Sequence, residues 1–259
     1  MLAAVPAEVN RFVLDALFKR PVQATLVELL LLRQGDRSFT SCVLVHGMGG
    51  TGKTVTAVAA VQDRSVRVHF RNIYWLTVGA DAVGERILAL QAMLYKQLTG
   101  KGMQDEEAKD EHERQAMLVA AMAEKQRSLL VLDDPWMPEQ VRFLNPIDGS
   151  QSEHRLLVMT RIRDLVPKAT RVELPLMGKD EAVTLLLDLA NVEETSYLKE
   201  HPRSAWPPPA AYTIAAECGL LPITRSSAVD VRLCPPAPSC SRSSGSTAVC
   251  HPSPHDRTT

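Results

Sequence analysis

The chain has 259 residues, 45% of them hydrophobic and 23% charged, with a formal net charge of -1. That length leaves room for one large domain or two modest ones. The composition excludes a chain dominated by disorder, and the near-neutral balance gives no electrostatic case for nucleic acid or a membrane as partner.

Met1-Leu2-Ala3-Ala4-Val5 is too short an apolar start for a signal peptide, and Glu8 and Arg11 interrupt it. Residues 6–33 read as helical in two pieces, the first on Val9, Phe12, Val13, Ala16 and Leu17, the second on Val22, Leu26, Leu29, Leu30 and Leu32. Pro21 suits the first turn of the second piece, where its missing N–H costs nothing. That piece contains Glu28 and ends at Arg33, far short of a membrane span. Five cysteines, with Cys42 and Cys218 in apolar segments, read as reduced thiols in a cytoplasmic setting.

A polar loop at 33–38 feeds the apolar run Cys42-Val43-Leu44-Val45, after which comes Gly47-Met48-Gly49-Gly50-Thr51-Gly52-Lys53-Thr54. This stretch fills every fixed position of the phosphate-binding pattern G-x-x-x-x-G-K-[ST], between a strand and the helical run from Val55 to Val61. Gly47, Gly49, Gly50, Thr51 and Gly52 bring the backbone close enough for successive N–H groups to face phosphate oxygens. The helix start beside Gly52 adds the positive end of its dipole. Lys53 is expected to meet the β- and γ-phosphates and the Thr54 hydroxyl to ligate Mg2+.

Ile73 to Val78 reads as a mostly buried strand with Trp75 in the core, and Asp81 as the cap of a long helix through Leu98, with Val83, Ile87, Leu88, Leu90 and Leu94 in its apolar stripe. Residues 100–113 are acidic and read as an exposed loop or the solvated start of a further helix. Ser128 to Leu132 is a continuous apolar run ending in Asp133 and Asp134. Such a run marks a strand buried on both faces, and its carboxyl end is where open α/β sheets bind ligands. Asp133 is expected to hold Mg2+, directly or through water, and Asp134 to orient water or accept its proton; a pair of turn-forming carboxylates before Pro135 is the bland alternative. A third strand, Arg155 to Thr160, runs into Arg161, which is placed to meet a γ-phosphate.

A short strand at Val172-Glu173-Leu174 and an amphipathic helix from Asp180 to Ala190 follow. Strands alternating with helices predict βαβ units and a parallel sheet covered on both faces. Beyond Asn191, Trp206-Pro207-Pro208-Pro209 is a linker or helix start, and Ala210 to Cys218 a helix stopped at Gly219. From Thr224 the composition turns to Ser, Pro, Arg and Cys and is expected to be disordered. Cys234, Cys240, Cys250, His251 and His255 lack the paired spacing of a zinc site.

Taken in order, Val45 to Thr54, Ile73 to Val78, Leu129-Leu130-Val131-Leu132-Asp133-Asp134-Pro135-Trp136, Met159-Thr160-Arg161, Leu174-Pro175-Leu176 with Asp180-Glu181-Ala182, and Cys218-Gly219-Leu220-Leu221-Pro222-Ile223 resemble the NB-ARC domain of the signal-transduction ATPases. The resemblance spans residues 18–223. It implies a P-loop NTPase with a five-stranded parallel sheet flanked by helices, then a small helical subdomain. The expected divisions are an N-terminal helical lead-in at 1–40, the nucleotide-binding domain at 41–175, the helical subdomain at 176–223 and the tail at 224–259.

The resemblance further implies ADP in the resting state, exchange for ATP as the switch, and slow Mg2+-dependent hydrolysis. Lys53 and Thr54 would bind phosphate and Mg2+, Asp133 would support the metal, and Asp134 would be the catalytic carboxylate. Arg161 would sense the γ-phosphate, Pro222 would pack on adenine, and Arg20 in Phe18-Lys19-Arg20-Pro21 would match the family's arginine ahead of the sheet. Two departures stand out: Leu220 occupies the place of a second glycine, and no winged-helix segment is recognisable after Ile223. The expected partners are an adenine nucleotide and related NB-ARC chains. Two other readings remain open, a small-molecule kinase, for which no acceptor pocket or basic lid is visible, and a non-catalytic nucleotide-binding scaffold that acts by association.

Overall fold

The computed structural model describes residues 2–10, 20–33, 35–36, 39–103, 110–147, 153–201 and 204–222. The expectations for Phe12, Val13, Ala16 and Leu17, for residues 104–109, and for the tail with its Cys234, Cys240, Cys250, His251 and His255 lie outside the described residues.

Five strands form one sheet: β1 (Cys42–His46), β2 (Asn72–Thr77), β3 (Ser128–Asp133), β4 (Arg155–Thr160) and β5 (Thr170–Glu173). Their order is β2-β3-β4-β1-β5 and every pair is parallel. Every residue of β1, β3 and β4 is buried, the physical reason their sequences are continuous apolar runs rather than alternating ones. Alternate side chains feed two cores. Leu44, Leu130, Leu132, Leu156 and Val158 pack on one face with Ile87, Leu94 and Leu118. On the other, Val43, Val45, Leu129, Val131, Leu157 and Met159 pack with Leu26, Val58 and Trp75. Burying each large aliphatic side chain here stabilises by about 2 kcal/mol.

The first face is covered by α5 (Glu85–Thr99), α6 (Glu111–Ala123) and α7 (Pro138–Leu144), the second by α2 (Pro21–Leu31), α3 (Lys53–Gln62) and α4 (Arg64–His69), with α1 (Ala7–Asn10) ahead of them. Pro21 does open α2. The helix assigned to Asp81 begins later, at Glu85, with Gly84 at its N-cap and a φ of 50°. Asp81 instead sits exposed in the preceding turn, 3.4 Å from Arg86, and Val83 is 59% exposed and outside the apolar stripe. The acidic run ends as Asp110 caps α6, accepting the His112 and Glu113 N–H groups at 2.8 and 2.9 Å. After β5 come α8 (Lys179–Leu189), α9 (Glu194–Glu200) and α10 (Pro209–Glu217). Helices α8 and α10 share an apolar cluster of their own, with Ala182, Val183, Leu186, Ala211 and Ala215 buried.

The strand order decides where the chemistry sits. β4 lies between β1 and β3, with Met159 level with both Val45 and Asp133. Residues that follow β1, β3 and β4 therefore emerge side by side at one end of the sheet.

Candidate nucleotide-binding site

The loop from Gly47 to Gly52 joins β1 to α3. Gly52 has a φ of 93°, a left-handed backbone that glycine adopts without strain, and it lets α3 start at Lys53. At Gly47 the limit is space: a Cβ would stand 2.5 Å from the Leu174 carbonyl oxygen. Thr51 is 1% exposed, and its hydroxyl donates to the Met48 carbonyl at 2.9 Å.

Lys53 lies at the floor of the loop, 8% exposed, and its Nζ donates to the Gly47 and Met48 carbonyls at 2.9 and 2.8 Å. Burial pushes its pKa below the usual lysine value, helped by Arg161 and opposed by Asp134 and Asp133. A cation held by the loop's own carbonyls in a partly desolvated place gains much from an incoming anion. The Thr54 hydroxyl donates to Asp133 Oδ1 and Oδ2 at 3.0 and 3.1 Å, which brings the end of β3 against the start of α3.

Asp134 continues past β3 with a φ of 59°, a left-handed conformation that aspartate tolerates better than most residues. Its N–H donates to the Met159 carbonyl at 2.8 Å, and its own carbonyl accepts from Gly79 at 3.1 Å, so the backbone is fixed from both sides. Its carboxylate Oδ1 lies 3.6 Å from Arg161 Nε. The Arg161 guanidinium also lies 5.0 Å from the centre of the Trp136 ring. Thr160, the last residue of β4, donates to the Pro135 carbonyl at 2.7 Å and so holds the turn that presents Trp136.

These groups surround a cleft of about 460 Å³ lined by Gly49, Gly50, Gly52, Lys53, Thr54, Val55, Thr77, Asp133, Asp134, Arg161 and Pro222. The structure thus brings together most of the residues singled out in the sequence. Gly47 and Thr51 shape the loop from behind without lining the cleft. Arg20 does not line it either; its guanidinium donates to the backbone carbonyls of Thr51, Pro175 and Leu176. Thr77 and Val55 are lining residues that sequence reasoning passed over. The register pairing Thr77 with Asp133 explains the first, and Val55 simply follows the motif's last residue. Leu220 has a φ of 58°, in the left-handed region that glycine adopts without strain.

The donor set suits Mg2+. Thr54 and Asp133 present hard oxygens that already meet within hydrogen-bond distance, and Mg2+ takes one or two protein oxygens, completing its shell with water and phosphate. Among the described residues no cluster of three or more His, Cys, Asp or Glu side chains forms a self-sufficient cage, and no helix is long and apolar enough to cross a membrane.

Comparison with known proteins bears on the family and the fold. Regulatory protein AfsR of Streptomyces coelicolor is 27% identical over 226 residues, 85% of this chain and 21% of that protein. Disease resistance protein RGA2 of Solanum bulbocastanum is 30% identical over 120 residues, 46% of this chain and 12% of that protein. Apoptotic protease-activating factor 1 of Danio rerio is 28% identical over 180 residues, 64% of this chain and 13% of that protein. The chain therefore spans no more than about a fifth of the length of these relatives. Among solved structures, C. elegans PCH-2 superposes with a TM-score of 0.52 at 14% identity, over 87% of this chain and 65% of that one, a likeness of fold alone. The sequence profile of the NB-ARC domain matches residues 22–196, more than half of the chain, so the chain belongs to the NB-ARC domain family.

Proposed function

We propose that the chain is an adenine-nucleotide switch that holds ADP at rest, exchanges it for ATP with Mg2+, hydrolyses slowly, and serves signalling or defence together with related NB-ARC chains. The observation that carries this reading is the meeting of Thr54 with Asp133 beside Lys53 in one cleft. Lys53 exchanges the Gly47 and Met48 carbonyls for phosphate oxygens. Thr54 and Asp133 would hold Mg2+, which when bound would supply positive charge to offset that of the phosphates. Pro222, which lines the cleft beside Gly52, gives an apolar face to the base.

Arg161 and Asp134 work as a pair. Both are partly exposed, and an ion pair of that kind is worth less than about 1 kcal/mol, so a γ-phosphate can take the guanidinium. Arg161 then senses the third phosphate, and the freed Asp134 carboxylate orients water or accepts its proton.

The test compares the purified chain with its Lys53→Ala variant. Both are confirmed folded and then denatured, and released nucleotide is identified by chromatography. ADP from the parent and none from the variant is expected, with affinity in the variant down at least about a hundredfold for loss of a buried charged contact. An empty parent that also fails to bind ADP or ATP with Mg2+ overturns the switch. A second reading, a nucleotide-binding scaffold without turnover, is favoured by the exposed Leu176, Leu189 and Tyr212 on and beside α8 and α10. ATP binding with no phosphate release would select it.

A further inference from the structure

Arg20 stands at the N-cap of α2, and its side chain is 8% exposed. Its Nη1 donates to the Thr51 carbonyl at 3.2 Å, inside the phosphate-binding loop. Its Nη2 donates to the Pro175 and Leu176 carbonyls at 3.1 and 3.4 Å, in the segment that leads from β5 into α8, and lies 3.9 Å from Glu181 Oε2. Glu181 in turn accepts the Gly178 N–H at 3.0 Å and so holds the first turn of α8. The loop meets this segment a second time through Gly47, packed against the Leu174 carbonyl, and Leu174 N–H donates to the His46 carbonyl at 2.7 Å. None of Thr51, Leu174, Pro175, Leu176 and Glu181 lines the cleft.

A guanidinium is a rigid fork of donors, always charged, and can hold two backbone segments in a fixed relation. A lysine ammonium is a point donor and cannot reproduce that geometry. Arg20 is the side chain that touches the loop on one arm and the entry to α8 on the other.

We propose that Arg20 is a positioning residue that couples the phosphate-binding loop to α8, so that nucleotide binding and the seating of α8 are one equilibrium. The coupling rests on the switch reading and adds a regulatory route to the same site. A phosphate that draws the loop N–H groups inward moves the Thr51 peptide, whose carbonyl shares its donor with Pro175 and Leu176. Linkage makes the effect reciprocal: whatever displaces α8 weakens the nucleotide by the same factor.

The test measures ADP affinity and backbone hydrogen exchange, with and without saturating ADP, for the parent, Arg20→Ala and Arg20→Lys. ADP is expected to slow exchange across residues 179–189 of the parent although no α8 residue lines the cleft. Arg20→Ala is expected to bind ADP about tenfold more weakly, the scale of one charged hydrogen bond, and to lose the α8 response even when saturated. Arg20→Lys keeps the charge and the fold, and it too loses most of the α8 response while its affinity falls less. A response of parental size in either variant, or none in a parent that binds ADP, overturns the proposal. A parent that takes up no nucleotide overturns the proposed function and the coupling with it. The clamp itself is then read without ligand: Arg20→Ala must speed exchange in both 51–54 and 176–182, and speeding in only one of them, or neither, overturns it as well.

Discussion

The two ends of the sheet use the same kinds of charge for different ends. At the carboxyl end, Lys53, Arg161, Asp133 and Asp134 line one cleft, so both signs are present and the contacts are exchangeable: Lys53 rests on loop carbonyls and Arg161 on a partly exposed carboxylate. At the amino end, Arg155 opens β4 at 2% exposure, donates to the Leu32 carbonyl beyond α2 and to the His154 carbonyl at 3.2 Å, and covers the Phe39 ring at 3.9 Å. Burial lowers its pKa to about 10, opposed by Asp36, which leaves it charged at neutral pH. A second cleft of about 550 Å³ lies at this end, lined by Leu31, Arg33, Ser65, Val68, His69, Arg71 and Arg127 and by no carboxylate. A cation whose partner can be replaced by a ligand is a site. One whose partner is a backbone carbonyl at the end of a packed helix is a fastener.

The strongest way to break this contrast is Arg155→Ala. It strands the Leu32 carbonyl and opens a void, so a stability loss of about 3 kcal/mol is expected in denaturant unfolding, with ADP affinity of the folded fraction within about twofold. A loss of binding as large as the loss of stability would mean that the two ends are not separable. At the other end, Asp133→Asn removes the proposed anionic metal ligand while keeping an acceptor for Thr54. The Mg2+-dependent part of ATP affinity should fall about tenfold in titration calorimetry, with stability changed by less than about 1 kcal/mol.

The smallest effect is in pH. Burial depresses the pKa of His154, opposed by Glu153, and its Nδ1 accepts the Ser128 N–H at 3.1 Å, a role open only to the neutral ring. Burial also depresses His69, with Arg127, Arg155 and Arg33 adding to it and Glu153 opposing. Both folded values lie below that of the unfolded chain. Their contribution is therefore complete above about pH 6.5 and is lost as pH falls through the folded values. Stability without nucleotide should decline by about 1 kcal/mol between pH 7 and 5.5, and His154→Gln should flatten part of that slope. A slope unchanged in that variant would remove His154 from the account.

Much of the fold was legible because a buried parallel strand needs an unbroken apolar run, and β1, β3 and β4 have one each. Helices of three turns or more, such as α2, α5 and α8, carry enough periods to be seen, whereas α4, α7 and α9, at six or seven residues, do not. Asp81 misled because its type suits a cap; the start of α5 is set instead by the backbone of Gly84, which no side-chain pattern reports. Within the site, Lys53, Thr54, Asp133, Asp134 and Arg161 were readable because each follows or ends a recognisable strand or motif. Thr77 was not, since its place depends on how β2 is set against β3. The partners of Arg20 were hidden for the same reason: the carbonyls it binds lie 31, 155 and 156 residues away, and backbone groups leave no trace in composition.

The strand order has a consequence for how the molecule is made. β1, which carries the phosphate-binding loop, pairs only with β4 and β5, so that Cys42 waits for Leu156 and Val43 for Thr170. During synthesis the loop emerges long before either neighbour, and contacts of such separation close late. Until residue 174 has left the ribosome, Gly47 has no wall at Leu174 and β1 has no partner at β5. The proposed site is therefore complete only in the finished sheet, and nucleotide capture by a nascent chain is expected to follow the docking of the last strand.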